Sequence, residues 1–165
     1  MRRIIALALI IVSVSCFAQK STDKPYLVVL SMDGFRWDYA DSYPTPNLHA
    51  ITQQGVHAKA LIPPFPSITF PSHYTMATGL YPDHHGIVNN AFCDPEIGEY
   101  KMSNSKNASD GRFYGGEPIW VTAGKQKVIT ANYFWPGSEA EIKVHAQPTG
   151  KNTIIKTRTN NASIL

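Results

Sequence analysis

The sequence predicts an α/β fold in which a mainly parallel sheet is flanked by helices. Short apolar runs that suit buried strands, the first of them at 26–31, alternate with segments that suit helices. Proline and glycine residues separate these segments and mark where helices begin and end. Alternating strands and helices are typical of a parallel sheet covered on both faces. Ligands bind such sheets at the carboxyl ends of the strands.

Residues 1–18 predict a signal peptide. Two arginines precede an apolar run at 4–12, and small residues lead up to Ala18. This run is shorter than the about 20 residues that a membrane span needs. Cys16 raises the alternative of a lipoprotein, but Ser13 stands where a lipoprotein signal favours leucine. We therefore expect cleavage after residue 18, secretion or export to the periplasm, and no membrane span in the mature chain.

The first part of the mature chain predicts two strands around one helix. The apolar run at 26–31 suits a strand that is buried on both faces. A threonine followed by proline opens a helix at 46–54, and Gly55 ends it. A second strand is expected at 56–62. The prolines of 63–68 predict a rigid loop.

The second part begins with a helix at 69–78, which Gly79 ends. The later elements are less regular, because glycine, asparagine and serine are frequent there. They are a short strand or strand end at 86–90, a loop-rich stretch at 94–116, a short helix at 118–123, a strand at 128–131 and a turn at 135–138.

Two residues stand where such a fold binds ligands. Asp33 directly follows the first predicted strand, so the sheet would fix its carboxylate in a position suited to a divalent metal. The alternative is an aspartate that merely caps a turn. Thr69 opens a helix, where backbone N–H groups and the helix dipole favour a phosphate. Its alternative is an ordinary N-cap.

Five ordered motifs between about residues 26 and 142 resemble the nucleotide pyrophosphatase/phosphodiesterase family of the alkaline phosphatase superfamily. The motifs are Val29-Leu-Ser-Met-Asp-Gly-Phe-Arg36, Phe65-Pro-Ser-Ile-Thr-Phe-Pro-Ser-His-Tyr74, Thr78-Gly-Leu-Tyr-Pro-Asp-His-His-Gly-Ile-Val-Asn-Asn90, Glu117-Pro-Ile-Trp-Val-Thr122 and Phe134-Trp-Pro-Gly-Ser138. A sulfatase would show a Cys/Ser-x-Pro-x-Arg run and an alkaline phosphatase a serine after aspartate, and neither is present.

The resemblance implies roles for five residues. Asp33 corresponds to a ligand of one of two Zn²⁺ ions. Thr69 corresponds to the metal-bound nucleophile that becomes a covalent nucleotidyl intermediate. Asn90 corresponds to the amide that holds a non-bridging phosphate oxygen together with the backbone after the nucleophile. Phe70 and Phe134 correspond to aromatic positions near the leaving group or base of the substrate.

The implied zinc site also needs ligands that this sequence does not show. The family carries a His-x-x-x-His arrangement and a downstream Asp-His pair after the Trp-Pro-Gly-Ser motif, and nothing after Ser138 matches them. The segment 143–165 has four basic residues, no acid and no aromatic ring. We therefore expect 19–142 to be the N-terminal part of a catalytic domain, 143–165 to be an atypical tail from truncation or frameshift, and the chain by itself to be inactive.

The resemblance implies metal-dependent hydrolysis of phosphodiester or pyrophosphate bonds in a nucleotide or related small molecule. A phosphomonoesterase or lipid phosphodiesterase built on the same nucleophile is one alternative, and a non-catalytic fragment is another.

The net charge of +3 is small and the basic residues lack interleaved aromatics, so we expect no nucleic-acid-binding module. His73 and His85 are interpreted as structural. Cys93 is interpreted as a small apolar residue.

Overall fold

A computed structural model describes residues 25–142 and the backbone of 153–156. The chain divides into two units, Met1–Gly34 and Phe35–Leu165. In the first unit, the described residues 25–34 form neither helix nor strand, and Asp33 and Gly34 make a turn in which Gly34 has a φ of 68°. The predicted signal peptide lies outside the described residues.

The second unit contains six short α-helices among its described residues. They are α1 Tyr39–Ser42, α2 Pro46–Gln54, α3 Thr69–Thr78, α4 Pro82–His85, α5 Ser105–Ala108 and α6 Ile119–Lys125. A 3₁₀ turn spans Gly111–Phe113. No helix of the described residues is long and apolar enough to cross a bilayer.

Four strands form two separate pairs in the described residues. Strands β1 Ala91–Asp94 and β2 Gly98–Lys101 make an antiparallel hairpin, with Ala91 opposite Lys101. Strands β3 Thr130–Tyr133 and β4 Thr153–Lys156 are parallel, with Thr130 opposite Thr153. Within the described residues, parallel pairing is therefore confined to the second pair.

The best predicted elements are α2 and α3, whose signals are local. Helix α2 has proline at its first position, and the Gly55 N–H closes it on the Ile51 carbonyl at 2.9 Å. Helix α3 ends at Gly79, which has a left-handed φ of 71° and donates to the Thr75 carbonyl. Both helices match the predicted bounds. The helix predicted at 118–123 also exists, as α6.

The strands predicted at 26–31, 56–62 and 86–90 are wrong, because none of these segments is a strand in the structure. The apolar side chains of 26–30 are 61–100% exposed, so burial does not favour an extended ladder there. The strand predicted at 128–131 exists two residues later, as β3. The stretch 94–116 is less loop-rich than predicted, since β2, α5 and the 3₁₀ turn lie in it.

The core of the second unit is an aromatic cluster on one face of α3. Phe70, Tyr74 and Ala77 follow the helical spacing and are buried. The cluster is completed by residues of the hairpin and the loops beside it, namely Ile87, Tyr100, Phe113 and Tyr114. The Tyr114 hydroxyl donates to the Ala108 carbonyl at 2.8 Å, so the Tyr100 hydroxyl, 2.9 Å away, donates to Tyr114. This cluster fixes the hairpin against α3.

The turn after β3 also packs on α3. A methyl group added at Gly137 would lie 3.0 Å from Cε2 of Tyr74 and 3.1 Å from Cε1 of Tyr114, and Gly137 has a φ of 87°. Gly137→Ala should therefore lower the free energy of unfolding by about 2–4 kcal/mol, from overpacking and left-handed strain together. Urea unfolding measures this. Gly98→Ala is the control, because Gly98 has a φ of 110° but open space around it. An equal loss in both variants would show that packing against Tyr74 contributes nothing.

Candidate functional site

Thr69 is the first residue of α3 and is half-buried. The preceding Ile68 is extended, with φ −120° and ψ 169°, so the chain turns into the helix directly at Thr69. The third helical residue, Pro71, is tolerated there because a first-turn residue needs no N–H partner. The start of a ten-residue helix gives Thr69 a positive electrostatic environment.

Asn90 lies beside this helix start, as a hydrogen bond shows. The Phe70 N–H donates to Asn90 Oδ1 at 3.0 Å, although the residues are 20 apart in sequence. The hairpin holds Asn90 in place, since the Met102 N–H, directly after β2, donates to the Asn90 carbonyl at 2.9 Å. With Oδ1 engaged by the residue that follows Thr69, Nδ2 is the donor end of the Asn90 amide.

The two aromatic residues assigned to the site differ in accessibility. Phe70 is only 9% exposed, and its ring packs edge-on against Tyr100 with centroids 6.4 Å apart. Phe134 is 43% exposed and follows β3 directly. Its backbone is left-handed, with a φ of 55°. Of the two rings, Phe134 is the one that an incoming planar group can reach.

Asp33 lies in the other unit and is exposed. It occupies the turn Asp33-Gly34, as the sequence indicates, but the residues before it do not form the predicted strand. Within the described residues, no group of three or more His, Cys, Asp or Glu side chains is placed to hold a metal ion.

The histidines near the helix are engaged with the protein. His73 Nδ1 lies 2.7 Å from the Thr69 carbonyl, which accepts, so Nδ1 carries a proton. His85 is fully buried, and its Nδ1 accepts from the Ile87 N–H at 3.2 Å. The other nitrogen, Nε2, therefore donates to Thr75 Oγ1 at 3.0 Å. These contacts fit the structural roles expected for both histidines.

Burial lowers the pKa of His85, because a charged imidazolium loses hydration inside the core. The unfolded chain takes up this proton near pH 6.5, whereas the folded chain does so only at lower pH. The stability that neutral His85 contributes is thus present above about pH 6.5 and is lost as the pH falls. We expect the unfolding free energy to decrease from pH 7 to pH 5.

Urea titrations at several pH values test this dependence. His85→Gln should flatten it, while His84→Gln should not, because the His84 side chain is 66% exposed. A slope that survives His85→Gln would assign the effect to another group.

Sequence reasoning missed one residue that organises this region. Trp135 Nε1–H donates to the His73 carbonyl at 3.1 Å, and the two rings meet edge-on with centroids 5.6 Å apart. Trp135 stands in the Phe-Trp-Pro-Gly-Ser motif, which served only as a landmark. This motif was the sequence signal that could have singled out Trp135. The sequence does not reveal that Trp135 bonds to His73, because the two residues are 62 positions apart.

Comparison with known proteins gives a consistent relationship. The family model described as type I phosphodiesterase/nucleotide pyrophosphatase matches residues 27–162. A Schizosaccharomyces pombe protein, an uncharacterized pyrophosphatase/phosphodiesterase, is 48% identical over 117 residues, which cover 70% of this chain and 24% of that protein. Ectonucleotide pyrophosphatase/phosphodiesterase family member 3 of Bos taurus is 41% identical over 122 residues, which cover 73% of this chain and 14% of that protein.

Solved structures show the same relationship. Murine ectonucleotide pyrophosphatase/phosphodiesterase 5, as an inactive threonine-to-alanine variant in complex with AMP, has a TM-score of 0.70 and 32% identity. The similarity covers 81% of this chain and 34% of that chain. The human counterpart has a TM-score of 0.70 and 34% identity, again over 81% of this chain and 34% of that chain. These similarities confirm the predicted α/β, alkaline-phosphatase-like fold class.

The family match covers most of the chain, and relatives above 30% identity align over more than two thirds of it. The chain itself spans about a seventh to a quarter of these curated relatives. On this evidence the chain belongs to the type I phosphodiesterase/nucleotide pyrophosphatase family.

Proposed function

We propose that the chain carries the nucleophile of a hydrolase that cleaves phosphodiester or pyrophosphate bonds in nucleotides. The observation that carries this proposal is the helix start at Thr69, to which the hydrogen bond from Phe70 to Asn90 brings an amide donor. A hydroxyl, a helix dipole and an amide donor at one place suit a phosphate group. The family and the AMP complex of the murine relative support the nucleotide class of substrate.

The proposed reaction has two steps. The Thr69 hydroxyl oxygen attacks phosphorus and releases its proton to solvent, the bond from phosphorus to the leaving oxygen breaks, and a nucleotidyl ester of Thr69 results. Water then attacks phosphorus and releases Thr69, so the net change is hydrolysis. The positive end of α3 and Asn90 Nδ2 stabilise the charge on the non-bridging oxygens in both steps. The inactive threonine-to-alanine variant of the murine relative agrees with a threonine nucleophile.

We propose that Asp33 and Thr69 are each ligands in a site for two Zn²⁺ ions. A carboxylate and a hydroxyl have the right donor chemistry, but zinc takes about four ligands and two oxygens complete no zinc shell. The other ligands lie outside the described residues in this proposal. When bound, zinc lowers the pKa of a coordinated hydroxyl and stabilises charge on attacking and leaving oxygens. Thr69 depends on such activation, since a free hydroxyl is a weak nucleophile at neutral pH.

Phe134 is proposed as the main contact for the leaving group or base, because its ring is accessible. The ring packs against Tyr133 with centroids 4.4 Å apart and the two ring planes at 80° to each other. Phe70 stays a prediction as a second contact. Phe70 is only 9% exposed, so little of its ring is accessible to a substrate.

Export is the proposed localisation, and the ectoenzyme and venom names of the relatives support it. Proteins recovered from the envelope or medium should start at Gln19 when sequenced from the N-terminus. The Arg-Arg and apolar run should be absent from that form. A mature cytoplasmic protein that retains Met1 would contradict the proposal.

The function is tested with a chimaera, which we call the complete domain. It joins residues 19–142 of this chain to the part of the Schizosaccharomyces pombe relative that follows its matched segment. Thymidine 5′-nitrophenyl phosphate is the substrate, because release of nitrophenol reports cleavage of a phosphodiester directly. We expect zinc-dependent turnover that a chelator removes and added zinc restores. A folded, zinc-loaded domain that leaves this ester and nucleotide pyrophosphates intact would contradict the proposal.

A further inference from the structure

We propose that Trp135 is a positioning residue that holds Phe134 in a left-handed backbone conformation and thereby sets a preference for substrates with an aromatic base. The inference rests on the proposed nucleotide substrate and adds a residue to that site. Four observations carry it: the backbone of Phe134, the bond from Trp135 to α3, the close approach of Gly137 to α3, and the exposure of the Phe134 ring.

The backbone of Phe134 is strained. Its φ of 55° lies in the left-handed region, which a bulky residue other than glycine rarely adopts. Such conformations persist only where surrounding contacts over-determine them, and they are concentrated at functional sites. The Phe134 ring is 43% exposed and packs against the adjacent Tyr133, a contact that does not attach this segment to α3.

The constraint comes from the residues that follow Phe134. The Trp135 indole N–H donates to the His73 carbonyl at 3.1 Å, and its ring contacts the His73 ring edge-on. His73 lies one turn after Thr69 on α3. Two residues later, Gly137 packs closely against the Tyr74 ring on the same helix. The segment after β3 is therefore attached to the helix that carries the proposed nucleophile.

This attachment has a consequence for binding. The Phe134 ring stands next to the attached segment, 43% exposed, at the end of β3. An aromatic side chain that is already fixed loses little conformational entropy when a base stacks on it. Release of the segment from α3 should weaken contacts with the base and leave contacts with the phosphate in place.

The test compares AMP with ribose 5-phosphate, which lacks the base, by calorimetric titration of the complete domain. Trp135→Phe keeps an aromatic ring but removes the N–H donor. The dissociation constant of AMP should rise about five- to tenfold, as expected for one lost hydrogen bond. That of ribose 5-phosphate should stay within about twofold. A residue that only supports the fold would affect both ligands alike.

A second variant tests the backbone strain at Phe134 and leaves Trp135 unchanged. Phe134→Gly accepts a φ of 55° without penalty, so Tm should rise by a few degrees while the preference for AMP over ribose 5-phosphate disappears. Tyr133→Gly is the matched control, because Tyr133 is an exposed aromatic residue in the regular strand β3. Glycine should lower Tm there.

Three results would overturn the proposal: equal weakening of both ligands by Trp135→Phe, no preference for AMP in the parent domain, or a loss of Tm in Phe134→Gly as large as in Tyr133→Gly. Binding of AMP requires no turnover. A domain that binds AMP with these variant effects but does not hydrolyse the nitrophenyl ester would contradict the proposed reaction and leave this inference standing.

Discussion

Thr69→Ala should lower the rate of nitrophenyl ester hydrolysis by the complete domain at least about a thousandfold, because it removes the atom proposed to attack phosphorus in the first step. Thr69→Ser should keep a measurable part of the rate, within about a hundredfold of the parent, since a hydroxyl remains at the start of α3. The fold should survive both changes. Thr69 is only half-buried, and it lies outside the aromatic cluster of the core.

Release of nitrophenol under saturating substrate measures the effect. Thr52→Ala is the control, because Thr52 is a threonine in α2 whose hydroxyl donates to the His49 carbonyl at 2.9 Å and takes no part in the site. Its rate should equal that of the parent. Full activity in Thr69→Ala, or equal losses in Thr69→Ala and Thr52→Ala, would show that Thr69 is not the nucleophile.

The 165-residue chain by itself should show no measurable phosphodiesterase turnover, even with excess zinc. Asp33 and Thr69 are the two proposed ligands, and the described residues contain no group of three metal-binding side chains. His85 is a poor substitute, because both of its ring nitrogens are engaged. Metal binding and folding are linked, so an incomplete shell also removes stability that the ions would provide.

Elemental analysis and an activity assay on the purified chain test this together. We expect far less than two zinc ions per chain. We also expect binding of hydrophobic dyes, because the apolar side chains at 26–30 are exposed. Zinc-dependent turnover with about two tightly bound ions per chain would contradict this account. It would mean that His73, His84, His85 or the undescribed His145 supplies ligands.

The parts of the fold that the sequence predicts well are those with local signals. Helices α2 and α3 are opened near prolines and ended by glycines, and each signal acts within a few residues of the helix end. Most of the predicted strands are wrong. A strand depends on partners that are distant in sequence, so the apolar run at 26–31 looks like a strand although the structure does not pair it. The hairpin β1–β2 was missed although its partners are close in sequence, because the frequent glycine, asparagine and serine residues of 94–116 predict a loop.

The residues of the candidate site also differ in whether local sequence predicts them. Thr69 at a helix start and Asp33 at a turn follow from local sequence. The contact of Asn90 with Phe70 spans 20 residues, and only the resemblance to a family indicated that Asn90 belongs to the site. The bond from Trp135 to His73 spans 62 residues and needed the structure. Long-range hydrogen bonds depend on tertiary packing, which periodicity and turn chemistry do not encode.

The most direct test of the central claim is to capture the covalent intermediate on Thr69. The complete domain is mixed with thymidine 5′-nitrophenyl phosphate, quenched in acid within one turnover, digested, and sequenced by mass spectrometry. We predict a thymidylyl adduct on the side chain of Thr69. Thr69→Ser should carry the adduct at the same position, because a hydroxyl remains there, and Thr69→Ala should carry none. Turnover with unmodified Thr69, or with the adduct on another residue, would contradict the account.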